Sequence, residues 1–235
     1  MSSKKTIITL LFSVTAFCCI NGVSAQTYLV KKISPGSLII TGNGKAIAWA
    51  DAAVLDHFIY PWENTPAPAT SFSALWDGQW LFCRFLVQDD SVITYINRNE
   101  KREPAASDRV EIFFKADDAM APYYCLEMDA TGRVLDYAAT LYRKMNYQWQ
   151  WPKDQLLVKT ARTKDGYVLE AAISMASLAQ LGLLKENKLQ AGLFRAECIA
   201  IENGKPDLKW ISWIDPKSAK PDFHIAAAFG VLKLE

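Results

Sequence analysis

The chain has 235 residues, 26 basic and 25 acidic, for a formal charge of +1, which argues against nucleic acid or an anionic membrane as partner. Hydrophobic residues make up 51% and aromatic residues 12%, enough for a substantial core and rich in flat rings.

Residues 1–25 read as a secretory signal peptide. Lys4 and Lys5 precede an apolar run from Thr6 to Ile20, and Val23-Ser24-Ala25 ends it with small residues. The run is too short to span a bilayer, so no stable membrane insertion is expected after cleavage near Ala25. Cys18 and Cys19 lie inside it without a convincing lipoprotein box, so the expected destination is the periplasm or the medium. Without these residues and their two lysines, the net charge passes from +1 to −1 over 210 residues. Residues 26–235 are expected to form one domain. They keep Cys83, Cys125 and Cys198, an odd count that suits buried free thiols better than a disulfide framework.

Leu38 to Ile40 reads as a short strand, and Ala46 to Ala53 as a turn of helix whose Trp49 plugs a sandwich. Val54 to Tyr60 reads as an edge segment, and Pro61, Pro66 and Pro68 carry Trp62 outward on a loop. Thr70–Asp77 and Trp80–Val87 form a hairpin across Asp77-Gly78. Gln88–Ala106 is a long polar loop, of the kind that is often functional.

Ser107–Phe114 then alternates Val110, Ile112 and Phe114 with Arg109, Glu111 and Phe113, the period of a half-buried strand. Tyr123–Asp129 does the same. If the connection closes near Ala119, Glu111 stands opposite Glu127. Like charges so placed are destabilising unless a cation or donor sits between them, which marks a candidate site. Arg84, Arg109, Arg143 and Arg195 are the available cations.

Further strands are expected at Arg133–Thr140, Leu157–Thr163, Tyr167–Ile173, Leu189–Ile199, Leu208–Trp213 and Phe229–Leu234. Ser174–Leu181 reads as a short helix, capped by Ser174 and ended by Gly182. Trp149 and Trp151 point the same way in an extended segment and offer an aromatic platform; Trp210 and Trp213 are assigned to the core. Short strands, turns and one or two short helices predict an all-β, antiparallel β-sandwich of immunoglobulin or jelly-roll type.

Enzymatic motifs are weak. His57 and His224 are the mature histidines, and neither a nucleophile elbow nor a zinc spacing is present. The two glutamates would suit a retaining glycosidase by separation, but a sandwich of this size offers little cleft, so no enzyme is expected.

Ala48-Trp49-Ala50, Ala74-Leu75-Trp76-Asp77, Ser107 to Phe114, Asp165-Gly166-Tyr167 with Glu170 to Ile173, Phe194-Arg195, Trp210 to Trp213 with Asp215-Pro216, and Phe229-Gly230 follow one another in an order that resembles family 9 carbohydrate-binding modules. The resemblance covers nearly the whole mature chain. It implies a β-sandwich that binds polysaccharide ends or small sugars of the xylan and cellulose type, often beside xylanases and often with structural calcium. The family's two clamping tryptophans fall at Ala105 and Phe223, its acidic residue at Glu111, and its neighbouring arginine at Glu127, with charge reversed. The implied sugar site therefore comprises Arg109, Glu111, Glu127, Arg195 and Phe223, with Trp149, Trp151 or Trp62 replacing the missing ring. Related exported sandwiches hold haem b, for which Met128, Met145, Met175, His57 and His224 are the donors here. A module that has lost sugar binding and serves a protein partner is the third expectation.

Overall fold

The structure, a computed structural model, describes residues 26–235; the expected signal peptide, with Cys18 and Cys19, lies outside the described residues. Twelve strands are described: β1 (Thr27–Lys32), β2 (Thr70–Trp76), β3 (Trp80–Gln88), β4 (Arg109–Lys115), β5 (Tyr123–Asp129), β6 (Val134–Thr140), β7 (Lys144–Asn146), β8 (Leu156–Thr163), β9 (Gly166–Ser174), β10 (Lys188–Glu202), β11 (Lys205–Ser212) and β12 (Gly230–Leu234). They form the expected all-β sandwich. The first sheet runs β7-β6-β5-β4-β10-β12-β1, with β11 beside the far half of β10, and the second runs β1-β2-β3-β9-β8.

Strand β1, absent from the sequence reading, joins the two sheets. Thr27–Val30 pair with β12, and Lys31–Lys32 pair with β2. Both pairings are parallel, the departure from an otherwise antiparallel pattern. The predicted hairpins form with the expected turns. Asp77 Oδ1 accepts the backbone N–H groups of Gln79 and Trp80 at 2.9 and 2.8 Å. At the β8–β9 turn Gly166 has φ +143°, and a Cβ there would meet the Val87 carbonyl at 2.0 Å. Helix α1 (Met175–Gln180) is capped by the Ser174 hydroxyl, as expected.

Leu38–Ile40 forms no strand. It lies with Trp49 over the outer face of the second sheet, against Leu75, Phe82 and Ala172. Trp49 therefore seals that outer face and does not plug the space between the sheets; its indole N–H donates to the buried Glu170 carboxylate at 2.6 Å.

The main core fills the space between the sheets, with Val110, Ile112, Phe114, Leu126 and Met128 from the first sheet against Phe72, Phe85 and Leu169 from the second. The opposite face of β4 and β5 is also covered. Phe113, Tyr123 and Cys125 pack there with Phe194, Phe223 and Phe229, beneath the segment that links β11 to β12. Both faces of β4 and β5 are thus buried, and the charged residues they carry are enclosed. Cys83, Cys125 and Cys198 are free and buried, as expected. Among the described residues no helix is long and apolar enough to cross a membrane.

Candidate functional site

Register builds the site. On the outer face of the first sheet, Trp210, Ala196, Arg109 and Asp129 are aligned across β11, β10, β4 and β5. The next row is Ser212, Phe194, Glu111, Glu127 and Leu135. Glu111 therefore does stand directly opposite Glu127, as the alternation predicted.

The cation that this pairing requires is Arg109, two residues before Glu111 on the same face. Its Nε donates to Glu111 Oε1 at 2.8 Å and lies 2.9 Å from Glu127 Oε2. The Nε–H is aimed at Glu111, so Glu127 meets the charge of the guanidinium without that hydrogen bond. Glu127 Oε1 accepts the Tyr137 hydroxyl at 2.8 Å, and Glu127 Oε2 is left buried without a hydrogen-bond donor. Nη1 of Arg109 reaches the Ala105 carbonyl at 2.8 Å, and the guanidinium stacks over Trp210 with 5.3 Å to the ring centroid. The small Ala196 between these two residues leaves room for that contact. Burial pushes the Glu111 carboxyl up to about 8, against Arg109 and together with the charge of Glu127. Burial works against the charge of Arg109, but Glu127 and Glu111 outweigh it and raise the guanidinium above its ordinary value.

Above this floor lies a cavity of about 310 Å³. Trp210 and Phe223 wall one side, Tyr137 and Tyr147 the other, and Arg102, Arg143 and His224 complete the rim. Asp222 receives Arg143 at 2.9 Å and the Tyr142 hydroxyl at 2.8 Å. Although burial opposes it, these donors and the His224 backbone N–H hold the Asp222 carboxyl below its usual range. Burial, helped by Arg143, lowers His224 to about 4, so the ring is neutral at pH 7, with Nδ1 2.9 Å from the Tyr123 hydroxyl.

Arg109, Glu111, Glu127 and Phe223 of the expected set meet at this cavity; Arg195, Trp149 and Trp151 do not. Phe194 pairs with Glu111, so Arg195, one residue on, faces the space between the sheets. There it is fully buried, with Asp89 at 2.9 Å and the Gln88 carbonyl at 3.0 Å. Trp149 and Trp151 do point the same way, but inward. Their rings pack on Tyr124 at 4.9 and 6.5 Å and close the edge of the main core. Phe223 is 5% exposed, stacked on Phe194 at 4.0 Å and flanked by Trp62 at 5.4 Å. Both its faces are taken, so it shapes the wall and offers no open platform; Trp62 buttresses it from behind.

Trp210, assigned to the core, instead lines the cavity half-buried. The signal was available in the sequence: on a strand, residues three apart leave opposite faces, so Trp210 and Trp213 could not both enter one core. Trp213 takes the core position. Arg102, Tyr137 and Tyr147 carried no such signal.

Among the described residues no three His, Cys, Asp or Glu side chains converge. Asp89 and Asp108, a neighbouring buried pair at one end of the sandwich, have the Arg195 guanidinium against Asp89. Of the haem donors, Met128 and Met175 lie in the core, His57 is exposed, and Met145 and His224 reach the cavity.

The sequence model of the family described as Carbohydrate family 9 binding domain-like matches residues 40–235. The chain belongs to this family. The family 9 domain also resembles solved structures in fold. A protein from Bacteroides uniformis ATCC 8492, provisionally described as carbohydrate-binding, has a TM-score of 0.68 at 18% identity, over 90% of this chain and 100% of that one. A family 9 module from Caldicellulosiruptor kristjanssonii in complex with cellotriose has a TM-score of 0.57 at 17% identity, over 89% and 94%. The glucose complex from the same organism gives 0.56 at 17%, over 89% and 96%. No curated protein sequence matches the family 9 domain.

Proposed function

We propose that this is an exported, non-catalytic sugar-binding domain whose cavity above Glu111, Arg109 and Glu127 holds a glucose- or xylose-type residue at a chain end. The observation that carries the reading is the composition of that cavity: a floor of carboxylates and guanidinium between Trp210 and the Tyr137–Tyr147 pair. Sugars present hydroxyl donors and acceptors at their edges and apolar C–H faces, which suit such a floor and such walls. A ligand hydroxyl can donate to the Glu127 carboxylate where it lines the cavity. The family and the cellotriose and glucose complexes of its relatives support the same class of ligand.

Glycoside hydrolysis is not favoured, because its two carboxylates flank the scissile bond. Here both lie side by side in one floor, tied to one guanidinium. Haem is not favoured either, since a flat apolar macrocycle would lie against two carboxylates. The signal-like residues 1–25 support export, and with it a role in polysaccharide breakdown alongside glycoside hydrolases.

Titration calorimetry with glucose, cellotriose and xylotriose tests the reading. Wild type is expected to bind at least one of them, and Glu127→Gln to weaken it about tenfold, the size of a lost charge-assisted hydrogen bond. No heat with any of the three, or an unchanged Glu127→Gln variant, would overturn it.

A further inference from the structure

The cavity holds three arginines, and two of them are neutralised. Arg109 is shared by Glu111 and Glu127, and Arg143 is paired with Asp222. Arg102 makes no ion pair among the described residues; its guanidinium lies over the Tyr147 ring, 4.4 Å from the centroid. From this asymmetry, and resting on the sugar-binding reading, we infer that the preferred ligand is an acidic sugar, whose carboxylate is gripped by Arg102 at the cavity rim.

Arg102 is exposed, and an exposed arginine is ordinarily a mobile, solvated group. Its setting argues otherwise. On one side, Lys101 is fastened across the cavity wall: its Nζ donates to the carbonyls of Tyr147 at 3.1 Å and Trp149 at 2.7 Å, and pairs with Asp136 at 2.8 Å. On the other side, Glu103 accepts the backbone N–H groups of Asn97, Arg98 and Asn99 at 3.1, 2.6 and 3.1 Å, and Arg133 at 3.2 Å. The backbone at Arg102 is thus held from both flanks, and the same Lys101 contacts hold the Tyr147 backbone. Stacking on Tyr147 then orients the planar fork, so little freedom remains to be lost when a carboxylate binds it.

Charge supports the same ligand. With every group ionised, three arginines face Glu111, Glu127 and Asp222, and the cavity is balanced. Burial drives Glu111 toward its neutral form, which leaves the cavity positive near pH 7. A uronic acid adds one carboxylate to an otherwise neutral sugar ring. A planar carboxylate fits the fork with two parallel hydrogen bonds.

The test compares D-glucuronate and D-galacturonate with D-glucose and D-galactose by calorimetry, on wild type, Arg102→Gln and Arg102→Lys. In wild type one uronate is expected to bind about tenfold more tightly than its neutral counterpart, with the advantage shrinking as salt is added. Arg102→Gln should bring the uronate-to-neutral ratio close to one, and Arg102→Lys should retain only part of it, because the charge stays while the fork is lost. Neutral sugars that bind as well as the uronates, or a ratio that survives in Arg102→Gln, would overturn this inference and leave the sugar site standing. Absence of binding by all four sugars would overturn this inference, and the sugar site with it if cellotriose and xylotriose also fail to bind.

Discussion

Glu111 and Glu127 face each other across β4 and β5 with the Arg109 Nε between them, 2.8 Å from one carboxylate and 2.9 Å from the other. Arg109 cancels a repulsion that the register itself creates. It also fixes the two carboxylates as a rigid floor, because its Nη1 is anchored on the Ala105 carbonyl. All three residues are nearly inaccessible, at 3%, 1% and 6% for Arg109, Glu111 and Glu127.

Removing the cation alone should therefore be costly. Arg109→Met is expected to destabilise the domain by about 3–5 kcal/mol in urea unfolding, since it leaves the Glu127 carboxylate buried beside Glu111 without a counter-charge. Adding Glu111→Gln and Glu127→Gln to that variant should restore much of the loss. A single variant as stable as wild type would show that the floor is not held by Arg109.

The floor also gives stability a dependence on pH. Glu111 is pushed up to about 8 from an ordinary 4.5. Between those values the native carboxyl holds a proton that the unfolded chain has released, so stability falls as pH rises through the window and flattens above it. Asp108, raised by burial to about 7, has the same sign. His224, lowered to about 4, has the opposite sign, but its change is complete by about pH 6.5. From pH 7 to 8, unfolding midpoints should fall in wild type and stay nearly level in Glu111→Gln. Parallel slopes in the two proteins would remove Glu111 as the source.

The tryptophans divide between binding and packing. Trp210→Ala is expected to weaken sugar binding by about 1 kcal/mol, or about fivefold, through loss of a cavity wall. Trp151→Ala removes a ring that packs on Phe114 at 6.2 Å, so it should cost about 3–5 kcal/mol in stability and leave sugar affinity unchanged. The reverse pattern in calorimetry and urea unfolding would place the binding surface on the Trp149–Trp151 edge.

Arg195 belongs with the second group. Arg195→Met leaves Asp89 buried without its partner and is expected to destabilise by about 3–5 kcal/mol, while sugar affinity is retained, because the residue faces away from the cavity. The guanidinium already supplies the positive charge at that acidic end. A calcium chelator tests for a structural calcium directly: a clear drop in the thermal midpoint of wild type would show one, and an unchanged midpoint would leave the acidic end to Arg195 alone.

Local patterns in the sequence determined a good deal. Two-residue alternation set the faces of β4 and β5, turn residues set the hairpins, and a symmetric connection between β4 and β5 put Glu111 opposite Glu127. Arg109 was placed beside them by the same period, since residues two apart share a face. These are short-range relationships, and side-chain sterics and turn geometry fix them without reference to the rest of the chain.

What only the tertiary structure decided was which distant residues share a face. Phe194, not Arg195, aligns with Glu111, and a one-residue difference in register moves a side chain from the cavity to the core. The inward turn of Trp149 and Trp151, the enclosure of the outer face by the segment around Phe223, and the placing of Arg102 over Tyr147 all depend on loops packing against strands far away in sequence. Periodicity carries no information about such contacts, because they are chosen by the apolar surface left uncovered once the sheets have formed.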